Sequence, residues 1–128
     1  MSNFSYDLIK KGLDMSSLRQ RTISSNIVNI NTPDYKVNKV QFEDLLKTAI
    51  NEKEVTLEKY HPDHFGIGEV EDINPIVKKR ESTSLNDNGN NVDVDLEMTE
   101  LAANELYYNT LVSQLNSRLA SLNYVINK

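Results

Sequence analysis

Chemistry in this 128-residue chain would have to start from "HPDHFG", where His61, Asp63 and His64 lie within four positions of one another. Two imidazoles and a carboxylate can bind zinc or iron, and a metal held so would activate water for hydrolysis. Such sites commonly draw their histidines from one helical face or from separated segments, whereas Pro62 disfavours a helix across this pair and the chain has no third histidine. A loop whose histidines are merely polar is the better reading, so no metal is expected. Asp93 and Asp95 form an acidic pair at i, i+2 that suits the capping of a helix better than acid–base work. Ser24 and Ser25 have no histidine and acid at a nucleophile-activating spacing. "GIG" at Gly66 to Gly68 lacks the strand-to-helix setting of a phosphate loop. No cysteine is present, which removes disulfides, thiolate metal sites and cysteine nucleophiles. The residues therefore point away from catalysis, and no cofactor is expected.

The elements that would position any site are two helices, one at each end. Val94, Met98, Leu101, Glu105, Tyr108, Val112, Leu115, Leu119, Leu122 and Ile126 recur at alternating steps of four and three. This is the heptad spacing of a helix packed lengthwise on another, and only Glu105 interrupts its apolar character. Asp93 or Asp95 caps the start, and Glu97 and Glu100 complement the positive end of the helix dipole. The expected helix runs from Val94 to Asn127, about 50 Å long. Its partner comes from the N-terminus. There Phe4, Leu8, Met15 and Leu18 share one face, and Ile9, Leu13, Ile23, Ile27 and Ile30 form an overlapping stripe, a wide arc suited to more than one neighbour. That helix must stop before Pro33.

Between the helices the periodicity fades. Val40 to Ile50 reads as a short helix and Glu54 to Tyr60 as a short strand or extended piece. The stretch from His61 to Asn91, with "NDNGNN" as its densest turn cluster, reads as loop. The expected fold class is mainly α, with the terminal helices paired as an antiparallel coiled-coil-like hairpin. The middle segment is poorly ordered, with a short helix and room for short strands. Residues 1–31 and 93–128 would form one discontinuous helical domain, and residues 32–92 the turn, short helix and loop that project from it.

Composition narrows the partners. Acidic residues outnumber basic ones, 19 to 14, for a net charge of −5. The single basic run, Val77 to Arg80, is too short to grip a phosphate backbone, so nucleic acid is not an expected partner. No apolar run approaches the roughly 18 residues that cross a bilayer, and the amphipathic start is unlike a cleaved secretion signal. Aromatics make up only 7% of the chain and tryptophan is absent, a composition that suits a core completed against partners.

Two motifs sharpen this. "RTISSNIVNINTPDYKVNKVQFEDLL" (Arg21 to Leu46) resembles the signature of the flagellar rod, hook and related axial proteins: Asn-(Ile/Val)-Ala-Asn, a spacer, Thr-Pro-Gly-Tyr-Lys, then a phenylalanine. "NGNNVDVDLEMTELAANELYY" (Asn88 to Tyr108) resembles the Gly-Asn-x-Val-Asp-x-Asp-x-Glu-Met element that opens the C-terminal helix of rod members, and "EKYHPDHFGI" is similar to their middle segment. Residue by residue, Asn26, Asn29, Thr32, Pro33, Tyr35, Lys36 and Phe42 match the first motif. Gly89, Asn90, Val92, Asp93, Asp95, Glu97 and Met98 match the second. The chain departs from the signature at Val28, in place of a small alanine at a presumed close approach, and at Asp34, in place of glycine. Asp34 suggests a type I turn, with Pro33 second and Asp34 third.

The resemblance implies a structural subunit of the bacterial flagellar basal-body rod, in its proximal part, and not an enzyme. Its implied partners are further copies of itself, other rod proteins, the adaptor joining the rod base to the MS ring, and the flagellar type III export apparatus. Export without a cleaved signal is implied as well, with no direct membrane insertion. Phe42 to Leu46 resembles a short export-gate docking element. The motif residues imply assembly roles, with Leu101, Tyr108, Val112, Leu115, Leu119, Leu122 and Ile126 as the helix-packing seam. A generic helical adaptor or export chaperone, and a small metal-dependent hydrolase built on His61, Asp63 and His64, are the alternatives.

Overall fold

A computed structural model describes residues 2–57, 73–81 and 87–128. His61, Asp63 and His64 therefore lie outside the described residues. Helix α1 (Ser2–Val28) is followed by strand β1 (Asn38–Gln41), helix α2 (Glu43–Leu57), strand β2 (Ile76–Lys79) and helix α3 (Val94–Ile126). The terminal helices pair antiparallel, because Asn26 meets Glu97, Ser16 meets Asn104, and Gly12 lies against Leu111 and Tyr107.

Each helix end has a local cause. The α1 terminus leaves carbonyls without intrahelical partners. Asn29 satisfies one of them by donating to the Ser25 carbonyl from both its backbone N–H (3.2 Å) and its side-chain amide (2.8 Å). Asp93 caps α3, its side chain accepting from the N–H groups of Asp95 and Leu96 at 3.1 and 3.2 Å.

β1 and β2 form a two-stranded antiparallel sheet in the register Asn38↔Lys79, Lys39↔Lys78, Val40↔Val77, Gln41↔Ile76. This corrects the expectation of loop through this region. All four residues of β2 are exposed, so the strand has no buried face to imprint an alternating pattern on its sequence. The expected strand at Glu54 to Tyr60 is also corrected: residues 54–57 continue α2, and the rest falls outside the described residues. The run Asn51 to Glu54 has no helix breaker, and helix propagation overrides the short alternation after it. At its other end α2 begins at Glu43, later than expected, since Val40 belongs to β1.

The apolar core sits at a corner and not along the helix pair. Met15, Val40 and Phe42 are buried together, with Leu18, Leu46 and Ile73 packed on them. The wide apolar arc of α1 thus serves two neighbours, α3 on one side and the sheet on the other. Arg19 ties this corner shut, donating to both carboxylate oxygens of Glu43 at 2.8 Å and to the Val40 carbonyl at 3.3 Å. The hydrogen bonds from Arg19 hold the Glu43 carboxyl below its ordinary pKa, and Glu43 raises that of Arg19.

Two outcomes follow. Met15 is fully buried, so Met15→Ala should cost about 3 kcal/mol in chemical denaturation, with the slope against denaturant unchanged. Because the folded pKa of Glu43 lies below the unfolded one, its contribution is complete above the unfolded value and is lost as pH falls through the folded value. Acid titration of wild type and Glu43→Gln should therefore show the wild type losing its advantage only in the acid limb. Half-exposure of Glu43 keeps the effect small.

Candidate functional site

Residues of the two motifs, 53 to 71 positions apart in the chain, meet at one joint where α1 ends and α3 begins. Asn26 is its centre and is 1% exposed. Its amide nitrogen donates to the Asn38 carbonyl (2.8 Å) and to a Glu97 carboxylate oxygen (3.0 Å). Its amide oxygen accepts from the Tyr35 hydroxyl (3.0 Å) and the Asn38 N–H (3.0 Å). Two donors and two acceptor positions are all that a carboxamide has, so Asn26 is saturated. It also lets Glu97 be buried, since the carboxylate receives a hydrogen bond where water is excluded.

Asn90 and Asn91 are each 0% exposed and strap the incoming chain to the turn. Asn90 donates to the carbonyls of Asn29 and Thr32, both at 2.8 Å, and accepts from the Val92 N–H. Asn91 accepts from the Val37 N–H (2.7 Å) and donates to the Arg80 carbonyl (2.8 Å), linking β1 to the residue after β2. Lys36 adds a bond to the Gly89 carbonyl at 2.6 Å. Asn91 stood as a spacer in the sequence motif. Sequence reasoning missed it because asparagines in a turn cluster look alike until the burial of each is known.

The turn corrects one expectation. The Tyr35 N–H reaches the Thr32 carbonyl at 3.3 Å, closing a turn over Pro33 and Asp34, but Asp34 has φ 57°. A type I turn needs negative φ at its third residue, so Asp34 instead takes the left-handed conformation that glycine would supply; aspartate tolerates it better than most residues. That conformation aims the Asp34 N–H at the Asn88 carbonyl, 2.9 Å away. Gly89 lies opposite at φ 80°, and a Cβ there would overlap the Asp34 carboxylate. Val28 points outward at 81% exposure, so within the chain its bulk meets no close helix approach.

Other matched residues scatter. Phe42 is 2% exposed in the corner core, Val92 is buried, Asp93 is the α3 cap, Thr32 and Pro33 are exposed, and Met98 is half exposed. Along α3 the stripe facing α1 runs through Glu97, Leu101, Asn104, Leu111 and Leu115, one residue back from the proposed seam at most positions. Leu101, Val112 and Leu115 are half-buried, while Tyr108, Leu119, Leu122 and Ile126 are 43%, 49%, 50% and 77% exposed. The centre of the contact is polar. Asn104 donates to the Ser16 carbonyl at 2.9 Å and accepts from the Ser16 hydroxyl at 3.0 Å, a pairing that fixes the helix register.

The cavities among the described residues are small or lack converging reactive groups. A cavity of about 40 Å³ beside Arg19, Asn38 and Glu97 has room for a water molecule or two, not a substrate. A larger open groove along Ser16, Ser17, Gln20 and Asn104 brings together no nucleophile and base. Among the described residues no three His, Asp or Glu side chains converge on a metal-sized site. No described helix is long and apolar enough to cross a membrane.

Comparison with known proteins returned no matching family model. The chain is similar over nearly its whole length to curated proteins called flagellar basal body rod protein FlgB. It is 38% identical to that of Bacillus subtilis, covering 92% of this chain and 89% of the relative. It is 35% identical to that of Borreliella burgdorferi, covering 95% of each. With that of Aeromonas hydrophila it shares 30% identity, covering 86% and 83%.

The joint makes two sharp demands on substitution. Asn26→Asp replaces two donors by acceptors facing Glu97 and the Asn38 carbonyl, and should destabilise by about 3 kcal/mol at neutral pH. Repulsion raises the pKa of the new carboxyl in the fold, so part of this loss should return as pH falls and it protonates; urea midpoints across pH would read it. Gly89→Ala should be severely destabilising, and adding Asp34→Gly should restore part of the loss. Full additivity in that double-mutant cycle would refute the contact.

Proposed function

The chain belongs to the FlgB family of flagellar basal body rod proteins, and on that premise we propose that it builds the proximal part of the rod, polymerising with copies of itself and with other rod proteins. The observation that carries this reading is the uncovered apolar surface of α3. Leu106, Val125 and Ile126 are more than 70% exposed, and Leu119, Leu122 and Tyr124 are half exposed or more. A helix of 33 residues outruns a 27-residue antiparallel partner, so the apolar positions near its end have no covering helix among the described residues. Apolar surface of this extent on one helix is what a neighbouring subunit would cover, and head-to-tail contacts that do not close extend into filaments.

In this reading residues 1–31 and 93–128 act as one axial domain that forms the inner layer of the rod, and residues 32–92 project from it. Leu101, Tyr108, Val112, Leu115, Leu119, Leu122 and Ile126 divide their work. Those near α1 pack within the subunit, and those toward the C-terminus pack between subunits. Asn26, Asn29, Thr32, Pro33, Tyr35, Gly89, Asn90, Val92, Asp93 and Glu97 hold the angle at which the projecting segment leaves the helices, with exposed Thr32, Pro33 and Met98 available to neighbours. The subunit has no catalytic role. It crosses the cytoplasmic membrane through the flagellar type III apparatus without a cleaved signal, and docks at the rod base on the adaptor to the MS ring. Burial of Phe42 in the fold means that the Phe42 to Leu46 element is accessible to an export gate only while the chain is unfolded. An adaptor or chaperone would not need whole-length similarity to rod proteins, and the hydrolase reading rests only on His61, Asp63 and His64.

Deletion of the gene should abolish swimming and leave no assembled rods in electron micrographs of basal bodies; intact rods would sink the reading. Leu119→Glu with Leu122→Glu should abolish complementation of that deletion while leaving the thermal midpoint of the purified subunit within a few degrees of wild type, since neither side chain is buried in it.

A further inference from the structure

We propose that Asn88–Gly89 is a self-modification site, at which the folded chain slowly converts Asn88 to aspartate and isoaspartate and so loosens the strap between its two terminal helices. Of the four glycines only Gly89 follows an asparagine. A glycine in that position places no side chain of its own beside the attacking amide nitrogen. The chemistry is closure of the backbone onto the side chain. The Gly89 amide nitrogen gives up its proton to base and bonds to Cγ of Asn88. The Cγ–Nδ2 bond breaks, and Nδ2 leaves as ammonia after taking up a proton. The resulting succinimide is opened by water at either carbonyl. Opening at the backbone carbonyl leaves the main chain running through the side chain, an isoaspartyl linkage; opening at Cγ leaves ordinary aspartate. No oxidant, metal or further reactant is needed.

The fold leaves every participant available. Asn88 is exposed. The Gly89 N–H donates to no group among the described residues, so no bond must break before it is deprotonated. The Asn88 side-chain oxygen accepts from the Asn90 N–H at 3.2 Å, which holds the carboxamide toward the residues that follow it and draws electron density from Cγ as attack begins. The Asn88 amide nitrogen has no partner among the described residues and is free to depart. Gly89, at φ 80°, has no Cβ of its own, and the Asp34 carboxylate lies on the side of its Cα where one would stand. The two asparagines that follow are internal controls. Asn90 and Asn91 are fully buried, and both ends of each carboxamide are engaged in hydrogen bonds.

The consequence follows from what Asn88 holds. Its backbone carbonyl receives the Asp34 N–H, and the Gly89 carbonyl receives Lys36. An isoaspartyl linkage lengthens the main chain by the Cβ methylene and takes the first anchor out of it, since the former backbone carbonyl becomes a free carboxylate. It also places a new carboxylate near Asp87 and Asp34, where like charges repel. Either change works against the strap that Asn90 and Asn91 complete. The inference does not depend on the rod assignment.

The test is to age the purified full-length chain at 37 °C, at neutral and mildly alkaline pH, folded and in urea, and to follow each asparagine by peptide mass spectrometry with an isoaspartate-specific methylation assay. The expected result is amide-to-acid conversion at Asn88 in the folded chain, at least as fast as in urea and faster at alkaline pH, with Asn90 and Asn91 unchanged. Asn88→Gln, which would need a larger ring, should lose the conversion with its circular dichroism unaltered. Hydrogen exchange at the Asp34 and Val37 amides should quicken in the aged chain and not in aged Asn88→Gln. Slower conversion in the folded chain than in urea would overturn the site, and unchanged exchange after conversion would overturn the loosening.

Discussion

The structure depends on one saturated carboxamide. Asn26 sits where α1 is about to end and meets, at once, the turn that leaves it, the strand that follows and the first turns of α3. A buried amide left with any group unpaired would cost more than the hydrogen bonds supply, so all four partners must arrive together. That makes the joint cooperative. The turn at Asp34 has to present Tyr35, β1 has to present Asn38, and α3 has to be in register to present Glu97. The buried polar groups of the described residues all find partners, which is the condition under which such a network specifies one geometry.

The same logic runs down the helix pair. A long antiparallel hairpin held by leucines alone could slide by a heptad at small cost, since one apolar layer resembles the next. Asn104 against Ser16, and Glu97 against Asn26, remove that freedom because a slipped register would bury each of them unpaired. Polarity inside the pair is therefore matched with apolarity outside it. The leucines and aliphatics that an isolated hairpin would have turned inward remain near the far end of α3 and on its outer face. In the proposed polymer, this division would assign specificity to the contact within the chain and adhesion to the contacts between chains.

The corner formed by Met15, Val40 and Phe42 is the clustered part of the hydrophobic core, with Ile9, Ile23, Val37 and Val92 buried outside it, and Arg19 closes it over Glu43. It borders the α3 contact, since Arg19 and Val40 line one small cavity with Leu96, Glu97 and Glu100. The turn and the two-stranded sheet are thus fastened to the helices by a small apolar cluster and a large hydrogen-bonded strap. Such a connection fixes direction well while burying little area.

Sequence alone determined the elements whose cause is local or periodic. The heptad spacing from Val94 onward, a cap at Asp93 or Asp95, the stop before Pro33 and the two family motifs could be read without coordinates, because each depends on residues near one another in the chain; the structure selects Asp93 as the cap. The seam of α3 was legible as a stripe but not as a choice of face. An arc that wide has more than one apolar side, and only packing against Ser16 and Asn26 decided that Glu97 and Asn104 would turn inward and Met98 and Glu105 outward. Strand β2 left no pattern because it buries nothing. Asp34 was read as a residue that would avoid the left-handed region. Its turn lies against Gly89 and Asn88, 55 and 54 positions later, and the bond from its N–H to the Asn88 carbonyl holds it there. What tertiary structure decided is which asparagine does what: Asn26, Asn29, Asn90 and Asn91 are chemically the same side chain, and only burial and the carbonyls within reach separate a hub from a cap and a strap.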